Sequence, residues 1–98
     1  MSRDDIEKAV FDLVEEYNGI SLWTFKRFPL KKETDLNQDF RMAPEDAAEL
    51  LEEFAERFAV DPKEITFEKH FPPHLRNPHE PLTIDMLIQS AKAGRWLY

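Results

Sequence analysis

A chain of 98 residues, 42% of them hydrophobic, is the size of one domain with one modest core, burying roughly two thirds of its unfolded surface on folding. Cysteine is absent, which excludes disulfides, iron–sulfur clusters and thiol catalysis. The net charge of -7 sets the mean field against nucleic acid and anionic lipid unless a local basic patch overrides it, and favours a basic protein partner.

The opening MSRDDIEKAV lacks the basic start and apolar run of a secretory signal, and no apolar segment approaches the roughly 20 residues that cross a bilayer. A cytoplasmic location is therefore expected. Ile6, Val10, Leu13, Val14 and Tyr17 recur at helical spacing and predict a first helix, with Ser2 as its cap, Asp4 and Asp5 at its positive end and Gly19 as its stop.

Residues 19–43 form a long irregular connection, mildly basic, in which Leu22, Trp23, Phe25 and Phe28 are spaced too variably for one amphipathic face. Residues 23–28 can form a short strand. The aromatics read as core cover, with a ligand-binding patch as the alternative. Lys26, Arg27, Lys31 and Lys32 could clamp acidic side chains within the chain.

Pro44 suits the first position of a second helix, because its missing N–H would be unpaired there anyway. Ala47, Leu50, Leu51, Phe54, Ala55 and Phe58 make its apolar stripe, and Glu45, Asp46, Glu49, Glu52, Glu53 and Glu56 crowd the remaining faces. Asp61, Pro62 and Glu64 repeat the grammar of a helix start, with Val60 and Ile65 placed as a staple, and predict one short third helix or turn. That element should end before HFPPHLRNPHEP, where four prolines deny regular backbone bonding. Thr83 caps a final helix with Leu82 and Leu87 at staple spacing, Met86, Leu87 and Ala91 for burial and Gly94 as terminator; Arg95, Trp96, Leu97 and Tyr98 should fold back on the bundle. The fold class expected is all-α: a single domain over residues 1–98, a bundle of three long helices plus one short helix with a long first loop.

This order resembles the acyl carrier protein fold. In carrier proteins a Thr-x-apolar-x-x-Asp-apolar run leads into an Asp-Ser-Leu motif at the start of the second helix, and Thr34, Leu36, Asp39 and Phe40 stand in the equivalent run, continued by Glu49 and Leu50. Ala43, Pro44 and Glu45 replace the motif, so the serine that would carry a phosphopantetheine arm is missing. The segments EDAAELLEEFAERFAVDPKEITFEKHFP and LTIDMLIQSAKAGRW, within residues 3–96, look like a small enterobacterial family, the domain of unknown function 1493. That resemblance implies a carrier-like bundle and a cytoplasmic location, with no established activity.

Candidate chemistry is sparse. His70, His74 and His79 share the proline-rich segment and could hold a metal, though no cysteine joins them. Ser2, Ser21 and Ser90 sit in no nucleophile-elbow context, and Gly19 and Gly94 are too far apart for a phosphate loop. The paired carboxylates have the pattern of a solvated ridge rather than of acid–base catalysis. In carriers the equivalent helix docks on basic patches of partner enzymes, so the resemblance implies a partner-binding role for Glu45, Asp46, Glu49, Glu52, Glu53 and Glu56. The leading expectation is a non-enzymatic carrier-like interaction protein, binding no cofactor and recognising the basic surface of a protein. The alternatives are an active carrier modified at another serine and a metal-binding regulator built on His70, His74 and His79.

Overall fold

The computed structural model describes residues 3–18, 29–72 and 79–98. Among them the regular structure is helical, with α1 over Arg3–Glu15, α2 over Pro44–Arg57, α3 over Phe67–His70 and α4 over Ile84–Ala93, and a 3-10 turn over Pro62–Glu64 before α3. The all-α expectation is met: no strand occurs among the described residues beyond one isolated antiparallel bridge between Asp35 and Thr83. No helix among the described residues is long and apolar enough to cross a membrane. The expected cap at Ser2, stop at Gly19, strand over residues 23–28 and core cover by Leu22, Trp23, Phe25 and Phe28 lie outside the described residues.

α1 packs chiefly on α4 and also on α2, so it is the shared wall of the bundle. Val10, Leu13 and Val14 face a core completed by Leu50 and Phe54 of α2 and Ile84, Leu87 and Ile88 of α4, all fully buried or nearly so. Burying each such side chain contributes ~1.5–3 kcal/mol before conformational entropy is subtracted. α1 ends at Glu15, earlier than the glycine at position 19 suggested. Its last turn tightens instead, with Tyr17 N–H donating to Val14 O and Asn18 N–H to Glu15 O, and Tyr17 stays half-buried against the core.

α2 begins at Pro44 as its sequence demands, with Ala43 at the N-cap in extended conformation and no side-chain cap. At its far end Ala59 adopts φ +55 and Val60 N–H donates to Ala55 O, a Schellman closure made with alanine where glycine is favoured. The single short helix expected after Asp61 is two pieces. Asp61 caps only the 3-10 turn, accepting from Lys63 N–H, and Ile65 then turns extended before α3 starts. Consecutive β-branched side chains at Ile65 and Thr66 favour that interruption. α3 includes His70, one residue past the limit expected of it.

α4 follows its sequence signals closely. Thr83 Oγ1 accepts from Met86 N–H, and Met86 Sδ accepts from Thr83 N–H, a capping box with a thioether in the place of a carboxylate. Leu82 and Leu87 are both fully buried, as a staple requires, and Gly94 closes the helix at φ +72. Beyond it Trp96 is buried, edge-on to Phe54 at 6.3 Å and to His70 at 6.4 Å. The tail is tied further by Arg95 on Glu64 and by Lys69 Nζ on the Tyr98 carbonyl.

The segment before α2 is stitched to the segment before α4. Leu36 N–H donates to Leu82 O and Ile84 N–H to Thr34 O, while the buried carboxylate of Asp35 accepts from the N–H groups of Leu82 and Asn37. Removing that carboxylate strands two inward-facing donors, each costing ~1–3 kcal/mol. Asp35→Ala is therefore expected to lower unfolding free energy by at least ~2 kcal/mol in urea denaturation followed by circular dichroism. At Ala59 the left-handed backbone costs an L-residue ~1–2 kcal/mol, partly balanced by the greater unfolded-state entropy of glycine. Ala59→Gly should raise stability by ~0.5–1 kcal/mol in the same measurement, and a loss would show that the alanine methyl packs favourably there.

Candidate functional site

Helical geometry divides the six acids of α2 into two groups. At about 100° per residue, Glu52, Glu45, Glu56 and Glu49 fall within about 60° of arc, and Glu53 and Asp46 lie further round on the side that turns toward α1. The first four are exposed, as is Asp46. Among the described residues the ion pairs include none of Glu45, Glu49, Glu52 or Glu56.

Glu53 differs because the turn that follows α1 reaches it. Tyr17 Oη donates to Glu53 Oε2 at 3.3 Å, and Arg57 lies 3.8 Å from the same carboxylate while also meeting Glu16 at 3.3 Å. Burial raises the Tyr17 phenol to about 12, helped by the negative charges of Glu49 and Glu53 and by the hydrogen bond to Glu53. Glu53 is thus half-buried and engaged within the chain. Lys32 does not clamp the acidic ridge: its partner is Glu7 of α1 at 3.1 Å, and that hydrogen bond raises the lysine above its ordinary range. Lys26 and Arg27 lie outside the described residues.

On the other side of the four free acids is a feature that the sequence reading did not single out. Ala48, Leu51 and Glu52 of α2 face Pro62, Ile65 and Phe67 across a groove of about 300 Å³, apolar on its floor and acidic along its α2 rim. Leu51 is buried and Ala48, Ile65 and Phe67 are half-buried. The signal was present: Ile65 and Phe67 alternate about Thr66, which sends both to one side of an extended segment. A wider depression of about 480 Å³ lies along the 29–41 loop, but Lys31 and Arg41 there are balanced by Glu33 and Asp39.

Two of the three histidines, His70 and His79, fall among the described residues, and each has a different partner. His70 is fully buried, and since a carbonyl can only accept, its Nδ1 carries the proton that meets Glu80 O at 2.9 Å. Its Nε2 is buried without a hydrogen-bond partner, against Trp96. His79 Nε2 lies 3.5 Å from Asp35 Oδ2, and His74 is outside the described residues. Among the described residues no three metal-ligating side chains cluster. Of the serines, Ser90 is fully buried with Oγ accepting from Leu97 N–H at 3.2 Å, and Ser2 and Ser21 are outside the described residues.

The residues that carried the carrier resemblance serve as loop closures. Thr34 Oγ1 accepts from Lys31 N–H, Leu36 is fully buried, and Asp39 Oδ2 accepts from Asp35 N–H. A model of the family described as protein of unknown function (DUF1493) matches residues 3–98. The chain belongs to that family. No curated protein and no solved structure matches the chain significantly. The DUF1493 match spans α1 to the folded-back tail, so the acidic face, the groove and the Asp35 stitch all fall within it.

The Tyr17–Glu53 contact can be read directly. In a Tyr98→Phe background only Tyr17 contributes phenolate absorbance, and its titration midpoint is expected near 12. Because the folded value exceeds the unfolded one of 10.0, the contact's contribution is intact below pH 10 and is lost as pH rises toward 12. Glu53→Gln removes one negative neighbour and should move the midpoint down; an unmoved midpoint would assign the shift to burial and the remaining carboxylates Glu49 and Glu16.

Proposed function

We propose that this protein is a non-enzymatic, cytoplasmic interaction module on a carrier-like helical bundle, docking through the acidic face of α2 onto a basic surface of another protein. The observation that carries the reading is the set of four exposed carboxylates, Glu45, Glu49, Glu52 and Glu56, on one strip of α2 with no ion pair among the described residues. Complementary charge on such a strip speeds encounter and fixes orientation, even though each exposed pair contributes only ~0.2–1 kcal/mol. Asp46 sits at the margin of this surface and Glu53 serves it indirectly, held by Tyr17.

The carrier-like part of the reading rests on the long loop leading into α2, with Pro44 at the first helical position where a carrier presents its serine. A pyrrolidine ring has no hydroxyl to esterify, and the buried Oγ of Ser90 is no substitute. Exposure to a phosphopantetheinyl transferase and coenzyme A is therefore expected to leave the intact mass unchanged. A stoichiometric mass increase would return the chain to the active carriers.

The docking claim is tested by crosslinking in cell extract, followed by affinity measurement against the captured protein. Replacing Glu45, Glu49, Glu52 and Glu56 by glutamine should weaken binding about tenfold or more at low salt, with the difference shrinking as salt rises. Equal affinity for wild type and variant would remove the acidic strip from consideration.

A further inference from the structure

We propose that the groove between α2 and residues 62–67 seats an apolar anchor side chain carried on a cationic helix of the partner protein. This inference rests on the reading of α2 as a docking surface and names the chemistry of what docks. The groove joins two properties that select an occupant together. Its floor is apolar, formed by Leu51 with the flanks of Ala48, Ile65 and Phe67, so it rewards insertion of a hydrocarbon or aromatic side chain. Its α2 rim is Glu52, continued along the same helix face by Glu45, Glu49 and Glu56.

A fatty carboxylate or phosphate ester would bring like charge to that rim, and a neutral apolar molecule would leave the rim unused. A segment bearing both an apolar side chain and lysine or arginine uses both. The rim acids rise along α2 with steps of four, three and four residues, roughly 16 Å in all at 1.5 Å per residue, which matches cations one turn apart on a facing helix. Ala48, the smallest side chain of the α2 wall, allows that helix to approach closely.

The opposite wall is already set. Phe67 stacks on Phe71 with centroids 5.2 Å apart and planes 10° from parallel, and Ile65 N–H is fixed to Pro62 O. Asp61 holds the turn beneath them through Lys63 N–H at 2.9 Å. Such walls lose little freedom when the groove is filled.

The test uses the full chain and three synthetic peptides of about five helical turns. One has leucine on one face and lysine on the others, one has glutamine in place of each leucine, and one has glutamate in place of each lysine. By fluorescence anisotropy the leucine–lysine peptide should bind at least about tenfold more tightly than its glutamine counterpart, and the glutamate peptide should not bind. Ala48→Phe, which fills the groove without changing charge, should reduce the leucine–lysine peptide to the level of the glutamine peptide and leave the latter unaffected. Ile65→Thr provides a second variant should Ala48→Phe fail to melt as the wild type does. Amide cross-peaks of Ala48, Ile65 and Phe67 should shift on titration.

Equal affinity of the leucine and glutamine peptides, with both weakened by glutamine at Glu45, Glu49, Glu52 and Glu56, overturns the groove and leaves the acidic surface standing. Equal affinity indifferent to those substitutions overturns both. A concentration-dependent dimer abolished by Ala48→Phe would make the occupant a second copy of the chain, and nuclear Overhauser contacts from Ile65 or Phe67 to residues 23–28 in the free protein would make it the chain's own aromatic segment. Either result overturns the proposal.

Discussion

The bundle depends on one carboxylate. Asp35 joins two segments that are 47 positions apart in the chain, accepting from Leu82 N–H with one oxygen while the other faces His79 at 3.5 Å. A charge removed from water is costly unless it is hydrogen-bonded, and here the backbone supplies the donors. The bridge on either side, Leu36 to Leu82 and Ile84 to Thr34, keeps the entry to α2 level with the entry to α4. α1 then fills the space between, because its Val10, Leu13 and Val14 face both helices.

What was legible in the sequence was whatever local chemistry decides. Thr83, Gly94 and the leucines at 82 and 87 delimit α4 from either end, and Pro44 starts α2, because caps and proline act within one turn. Trp96 was legible as a residue that must be covered, although not as the side chain edge-on to both Phe54 and His70. His70 itself was misleading. Counted with His74 and His79 it suggests a ligand set, but its buried place is fixed by Trp96 and by the Glu80 carbonyl, which no spacing rule reports. The division of the third helix was equally hidden, since Asp61, Pro62 and Glu64 describe a start and say nothing of where Ile65 turns extended.

The acidic helix carries a cost that its core must offset. Glu45 with Glu49, Glu49 with Glu53 and Glu52 with Glu56 are like-charge pairs four residues apart, each destabilising by ~0.2–0.5 kcal/mol. Glu56 also stands near the negative end of the helix dipole. Relief comes from one side only: Arg57 and the Tyr17 hydroxyl meet Glu53, while the acids of the strip turned toward the groove make no ion pair among the described residues. The helix persists because Ala47, Leu50, Leu51, Phe54 and Ala55 are buried beneath it. This asymmetry was invisible in composition, where the six acids are equivalent, and it arises because Tyr17, packed against the core just beyond α1, reaches Glu53 with its hydroxyl.

The direction in which that strip points is set from outside α2. Both flanks of the helix hold a non-glycine residue in left-handed conformation, Arg41 at φ +57 before it and Ala59 at φ +55 after it. Each is an unfavourable backbone state that persists only where its surroundings over-determine it. Met42 N–H on Leu36 O fixes the first, beside the Asp35 stitch, and Val60 N–H on Ala55 O fixes the second, beside the turn that Asp61 caps. The same two corners therefore orient the acidic face and place Ile65 and Phe67 across from Ala48, which makes groove and rim a single geometric unit rather than two independent accidents of the surface.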